Sequence, residues 1–173
     1  MDYIKENLST IIILGILIAY LLYQRIPLYL NNSKLENTPL REDLILVDLK
    51  NQEYHLSEIK DKTIVINFWA TWCLPCKVEM PLLESTYQDL KSDGLEIFGI
   101  TSEDQSLVEN YLKNHPVSYP IVIDKNYALT NYFNIQGYPT IIIIKNQQIV
   151  DVATGLNVFL KYKIRWYTKK SLF

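Results

Sequence analysis

Cysteine and histidine are nearly missing from this 173-residue chain, which has two of each. Two cysteines are too few for the disulfide framework of a small secreted scaffold, and too few for a four-ligand zinc site. The histidines, His55 and His115, fall in separate segments, so no Cys/His metal cluster is expected. An excess of charge is lacking too. The formal net charge is −2, and basic residues are scattered until the C-terminus. That pattern leaves no nucleic-acid footprint and implies no strongly charged partner. No internal repeat or low-complexity tract occurs. What is present is an apolar content of 49%, enough for a packed core, in a length that suits one domain plus an appendage.

The appendage comes first. Leu8 to Tyr23, LSTIIILGILIAYLLY, carries no charge. As a helix it would span about 24 Å, slightly less than the ~30 Å hydrocarbon core of a bilayer. Tyr20, Tyr23 and Tyr29 suit a membrane interface, and the stem of Arg25 could snorkel to it. The favoured reading is an uncleaved single-pass anchor. A cleaved signal peptide and a buried soluble helix are the alternatives, the first weakened because no small-x-small site follows the apolar run. Charge bias sets Lys5 and the amino terminus against Arg25 and Lys34, which slightly favours a cytoplasmic C-terminal domain. Gln24 to Arg41, with Pro27, Pro39 and two adjacent asparagines, reads as a polar tether rather than a packed element. The expected division is an anchor with flanks over 1–30, a linker over 31–43 and a folded domain over 44–173.

Beyond the tether, strands alternate with helices. Leu44 to Leu56 reads as a hairpin, followed by a short helical turn that Ser57 could cap. Thr63 to Ala70, TIVINFWA, is almost continuously apolar and rich in β-branched residues, hence a strand buried on both faces. A helix follows from about Cys73 to Lys91, with Pro81 inside as an expected kink, and Gly94 ends the connection. Leu95 to Thr101 is a second buried strand. Ser106 to Asn114 is amphipathic, with Leu107, Val108, Tyr111 and Leu112 on one face, and His115-Pro116 stops it. Next come the strand YPIVID, the short helix NYALTNYF, the segment Gly137-Tyr138-Pro139-Thr140, the strand TIIIIK, a turn at NQQ and the strand IVDVAT. Gly155 breaks the chain and a last helix runs from about Asn157. This order predicts an α/β fold of thioredoxin-like layout, with a mixed central sheet flanked by helices.

Both cysteines sit where the strand over 63–70 hands over to a helix. A helix N-terminus carries unpaired N–H groups and a partial positive charge. A thiolate there is stabilised, so its pKa falls. Pro75 suits the first turn, because no helix hydrogen bond is lost. Cys76 lies one turn beyond Cys73 on the same face, close enough for a reversible disulfide. Cys73, nearer the helix end and the surface, would attack, and Cys76 would resolve the mixed disulfide. Trp72 would border the sulfur as a flat apolar wall. Inert thiols, or half of a zinc site, are the alternatives. A C-x-x-C after a strand in a βαβ setting, with no second pair, favours redox chemistry.

The strand VINFWATWC, then CLPCKVEMP, then GYPT some sixty residues later, resembles the membrane-anchored thioredoxin-like thiol-disulfide reductases of the TlpA/ResA type, with the cytochrome-maturation thioredoxins as near relatives. The resemblance covers roughly Leu44 to Gly155. It implies that Pro139 is cis and lies beside the disulfide, and that the backbone of Tyr138 pairs with an extended substrate peptide. It also implies that Glu79, one turn past Cys76, borders the active-site cavity, where a carboxylate could exchange protons as the disulfide opens. The alternative for Glu79 is a solvated helix residue near Lys77. Plain thioredoxin has a buried aspartate where this chain has Asn67, which cannot carry that proton. Leu74 offers the Cys73 sulfur neither charge nor hydrogen bond, so the dithiol leans towards a reductant, with Lys77 as a nearby cation that blurs the argument.

The expected function is reduction of disulfides in extracytoplasmic bacterial proteins, with electrons drawn from a membrane thiol carrier and no cofactor beyond the Cys73–Cys76 disulfide. Oxidised substrates occur outside the cytosol, so the chemistry places the domain outside and conflicts with the charge bias. Rival readings are a disulfide oxidase or isomerase, a thiol peroxidase, and a non-enzymatic redox-sensing module. Cytochrome c maturation, envelope assembly and general repair are all compatible roles. The tail from Asn157 to Phe173 interleaves aromatic and basic residues. It suits either the last helix of the fold, with a solvated basic face, or a helix lying on a membrane surface.

Overall fold

The structure, a computed structural model, describes residues 8–41 and 44–169, without the side chains of Leu8, Ser9, Arg25, Pro27 and Leu28. The Arg25 snorkel, the charge count that needs Lys5 and the tail from Lys170 therefore lie outside the described residues.

The domain is organised on one five-stranded sheet. Its strands are β3 (Thr63–Phe68), β4 (Leu95–Thr101), β5 (Ile121–Ile123), β6 (Thr140–Lys145) and β7 (Gln148–Thr154), in the order β5-β4-β3-β6-β7. β3 pairs parallel with β4 and antiparallel with β6. All six residues of β3 are buried, as its unbroken apolar run requires. Alternate side chains feed two cores. Val65, Trp69, Ile141 and Ile143 face one; Ile64, Ile66, Phe68, Ile142 and Ile144 face the other. A short hairpin, β1 (Ile45–Val47) and β2 (Glu53–His55), contributes Leu46 to the second core.

α2 (Leu74–Leu90), α3 (Gln105–Asn114) and α5 (Leu160–Lys169) cover the first core; α4 (Ala128–Tyr132) precedes β6. α2 continues unbroken through Pro81 and gives way to a 3-10 turn that ends at Gly94, in the left-handed region at φ 91°. α3 starts one residue earlier than expected because the Asp104 carboxylate accepts the Ser106 N–H at 2.9 Å as its cap. The turn expected at Ser57 starts at Leu56, and its cap position is His55, which makes no side-chain cap bond. The helix expected over NYALTNYF shrinks to α4, because Asn126 and Tyr127 have positive φ. In α5, Leu160, Ile164 and Thr168 are buried while Tyr162 and Trp166, like Phe159 just before the helix, are exposed. The tail is thus the last helix of the fold with an aromatic outer face.

The tether reading is overturned. α1 runs from Leu8 through Pro27 to Leu35, and the segment after it pairs with the free edge of β7. Asn37 N–H donates to Ile149 O at 2.7 Å, Ile149 N–H to Thr38 O at 3.0 Å, and Leu40 N–H to Gln147 O at 2.8 Å. Leu40 is buried in the second core and Leu35 packs against it. Local breakers lose here to partners over a hundred positions away. The Asn31 side-chain amide donates to the Asn134 backbone carbonyl at 3.1 Å and its Oδ1 accepts from the Asn134 amide, while Asn32 meets Thr154 Oγ1 at 3.4 Å. The reading of the N-terminal run as a buried soluble helix also fails. The stretch Thr10–Leu35 is long and apolar enough to cross a membrane, and its most apolar 18 residues, of mean hydropathy 2.0, have none buried against the domain.

Candidate active site

β3 ends at Phe68, and the chain turns sharply over Ala70 to Cys73, closed by Cys73 N–H to Ala70 O at 3.2 Å. Glu103, just past β4, clamps this turn: Thr71 N–H donates to Oε2 at 2.6 Å and Thr71 Oγ1 to Oε1 at 2.7 Å. Sequence reasoning missed this clamp. The available signal was an acid just beyond the carboxyl end of a buried parallel strand, where α/β sheets build their sites.

Cys73 and Cys76 form a disulfide with Cα atoms 5.2 Å apart. Cys73 is itself the N-cap of α2: its backbone is extended, and its Sγ accepts the Cys76 N–H at 3.2 Å. A sulfur occupies the place where a serine or aspartate oxygen usually caps a helix. The expected order of depth holds narrowly, with Cys73 4% exposed and Cys76 1%. The expected exposed sulfur does not appear, because the joined cysteines pack into the first core with Trp69, Ala70 and Met80. Their neighbours Trp72 and Leu74 project into solvent instead. Trp72 meets the Tyr138 ring edge-on at 5.9 Å.

The Tyr138–Pro139 bond is cis. Pro139 O accepts the Gly155 N–H at 2.8 Å, and Thr140 Oγ1 donates to Gly137 O at 2.8 Å. These bonds fix the GYPT segment at the same end of the sheet as the disulfide.

Glu79 is fully buried, so the solvated alternative does not hold. Its Oε1 accepts the Asn157 N–H at a long 3.4 Å, and Oε2 has no protein partner among the described residues. Burial pushes its carboxyl up to about 7, against a small opposing pull from the Asn157 N–H. Asn67 is buried on β3, its Oδ1 likewise without a protein partner. The Lys77 ammonium lies 5.9 Å from the centre of the Tyr111 ring.

The arrangement can cycle a disulfide. Reduction would turn the capping sulfur into a thiolate already facing an N–H and the helix dipole, with the raised carboxyl of Glu79 one turn past Cys76.

Comparison with known proteins points the same way. The AhpC/TSA family model matches residues 39–153. The thiol-disulfide oxidoreductase ResA of Geobacillus kaustophilus is 36% identical over 65% of this chain and 66% of its own length, so that match spans just under two thirds of the relative. The ResA of Halalkalibacterium halodurans is 31% identical over 86% of this chain and 85% of its own. A thiol:disulfide interchange protein of the thioredoxin family from Chlorobium tepidum superposes with a TM-score of 0.68 at 27% identity, covering 80% of this chain and 98% of that one. With the expected mixed sheet in place and a cysteine pair capping α2, the chain belongs to the AhpC/TSA family, as a thioredoxin-like thiol-disulfide oxidoreductase of the TlpA/ResA type.

Proposed function

We propose that the dithiol reduces disulfides of extracytoplasmic bacterial proteins. The Cys73 thiolate attacks one sulfur of a substrate disulfide, forming a mixed disulfide and releasing the first substrate thiolate. Cys76 then attacks the Cys73 sulfur, releases the second, and leaves the Cys73–Cys76 disulfide. Two electrons pass to the substrate. Glu79 takes the Cys76 proton and returns it when the disulfide is reopened. Trp72, the Tyr138 backbone and Pro139 receive the substrate segment. A membrane dithiol donor re-reduces the enzyme, and the N-terminal helix holds the domain on the outer face near that donor.

The observation that carries this reading is the cysteine pair capping α2, with Cys73 as the acceptor of the helix's N–H. Cys73→Ser should lower attack on a model disulfide by at least about 100-fold, whereas Cys76→Ser should attack and accumulate the mixed disulfide. Equal residual attack by both variants would contradict the assignment. Leu74 supplies nothing that stabilises a reduced Cys73, so the reduction potential should lie well below the roughly −120 mV of the strongest oxidants. A measured value near that figure would convert the reading to an oxidase.

A further inference from the structure

We propose that the disulfide-bearing end of the domain faces the lipid surface, held there by the docked end of α1 and touching it through an apolar crown. One row of the sheet relates the two features. Phe68, at the base of the active-site turn, pairs with Thr140, and Thr140 pairs with Thr154. Asn32 docks on Thr154. Two strand spacings, about 10 Å, therefore separate the root of the active-site loop from the point where α1 leaves the sheet. The direction of departure is fixed as well. From Leu40 to Asn32 the chain climbs β7 from Gln147 to Thr154, towards the disulfide. The membrane-length part of α1 then continues beyond that same end.

The distances put the lipid close. Nine residues of helix, about 14 Å, separate Tyr23, the end of the uncharged run, from Asn32. Ile26, Tyr29 and Leu30 are exposed within that stretch, so an apolar flank persists to within a turn of the docking point. The end of the domain that meets this flank is itself apolar. Trp72 and Leu74, from the turn after β3, and Val158 and Phe159, from the turn after β7, expose between 66% and 73% of their surface. Leu156 is exposed beside them, and no charged residue lies between Thr154 and Leu160. The Asn157–Glu79 contact ties the turn after β7 to α2, the helix that the turn after β3 leads into. Large apolar side chains clustered on one end of a small domain mark a contact surface, and aromatic rings suit the headgroup zone. α1 arrives from that direction, which selects the bilayer as the occupant.

The test uses the full-length protein, alone in phosphatidylcholine–phosphatidylglycerol vesicles that carry a photoactivatable phospholipid with its diazirine near the headgroup. Adducts are mapped by mass spectrometry. The expected result is labelling of 156–159 and of the Trp72 turn several-fold above labelling of 91–94, at the far end of α2. Phe159→Asp should lower the crown adducts several-fold while leaving reduction of a small soluble disulfide unchanged. Adducts confined to α1, or spread equally over both ends of α2, would overturn the orientation, including the case in which the crown is reserved for a protein partner. The inference rests on the dithiol reading only for its use. A crown that stays unlabelled on a protein that still reduces the small disulfide would sink the orientation alone. A labelled crown without Cys73-dependent reduction would sink the reductase reading alone.

Discussion

Glu79 is held at a cost to the fold. Below pH 4.5 its carboxyl is neutral in folded and unfolded chains and contributes nothing to the pH dependence. As pH rises towards 7 the unfolded chain releases its proton first, because burial keeps the folded carboxyl protonated up to about 7. Unfolding is favoured progressively over that window, and the full penalty, up to about 3 kcal/mol, is present above it. Glu79→Gln should therefore raise stability by as much as ~3 kcal/mol at pH 8 and by almost nothing at pH 4, read from urea unfolding at both pH values. An equal change at both would mean that the carboxyl does not titrate where its burial implies. The same variant should lose any break near pH 7 in the rate of re-reduction. The resemblance to the TlpA/ResA type pointed to this residue, which the sequence places one helical turn past Cys76. Its complete burial was not legible, because the cover comes from Asn157, seventy-eight positions away. The Glu103 clamp on Thr71 escaped for the same reason.

At the scale of elements, the sheet was the most legible part. The nearly continuous β-branched apolar runs of β3 and β6 and the tight turn before β7 gave strands within a residue or two of those found. The space between sheet and helices was not legible. On β4, opposite Asn67, sits Gly99. A methyl there would lie 2.6 Å from Ile121 Cδ1 and 3.2 Å from both Trp69 Nε1 and a Tyr119 ring carbon. Ile121 can give way, but the two rings are fixed in the core beneath the disulfide. Gly99→Ala should cost about 1–3 kcal/mol, seen as a lower urea midpoint with an unchanged slope. A midpoint equal to that of the parent protein would show that this layer is looser than its contacts indicate. The misread of Gln24 to Arg41 is of another kind. Pro27 and the paired asparagines are breakers locally, yet the asparagines are spent on Asn134 and Thr154, and the residues after them complete an edge of the sheet.

For the whole molecule, that edge is the part most open to experiment. An uncovered β7 would present a row of unpaired amides and carbonyls, a template for another chain. Three backbone bonds at roughly 1 kcal/mol each and about 2 kcal/mol for burying Leu40 are at stake. A chain starting at residue 44 should be less stable than one starting at residue 36 by about 5 kcal/mol at most, and should self-associate on sizing columns. Equal stability and a monomeric elution for both would show the edge pairing to be dispensable. The same pairing also decides how the domain moves. A loose link of the length first read from the sequence would behave as a leash, letting the domain roam over about 23 Å. With its end fastened to β7 it is a boom of fixed height. With α1 inserted in a bilayer, as proposed, encounters with anything carried in the lipid would become a two-dimensional search, paced by sideways drift and not by the flexing of a chain.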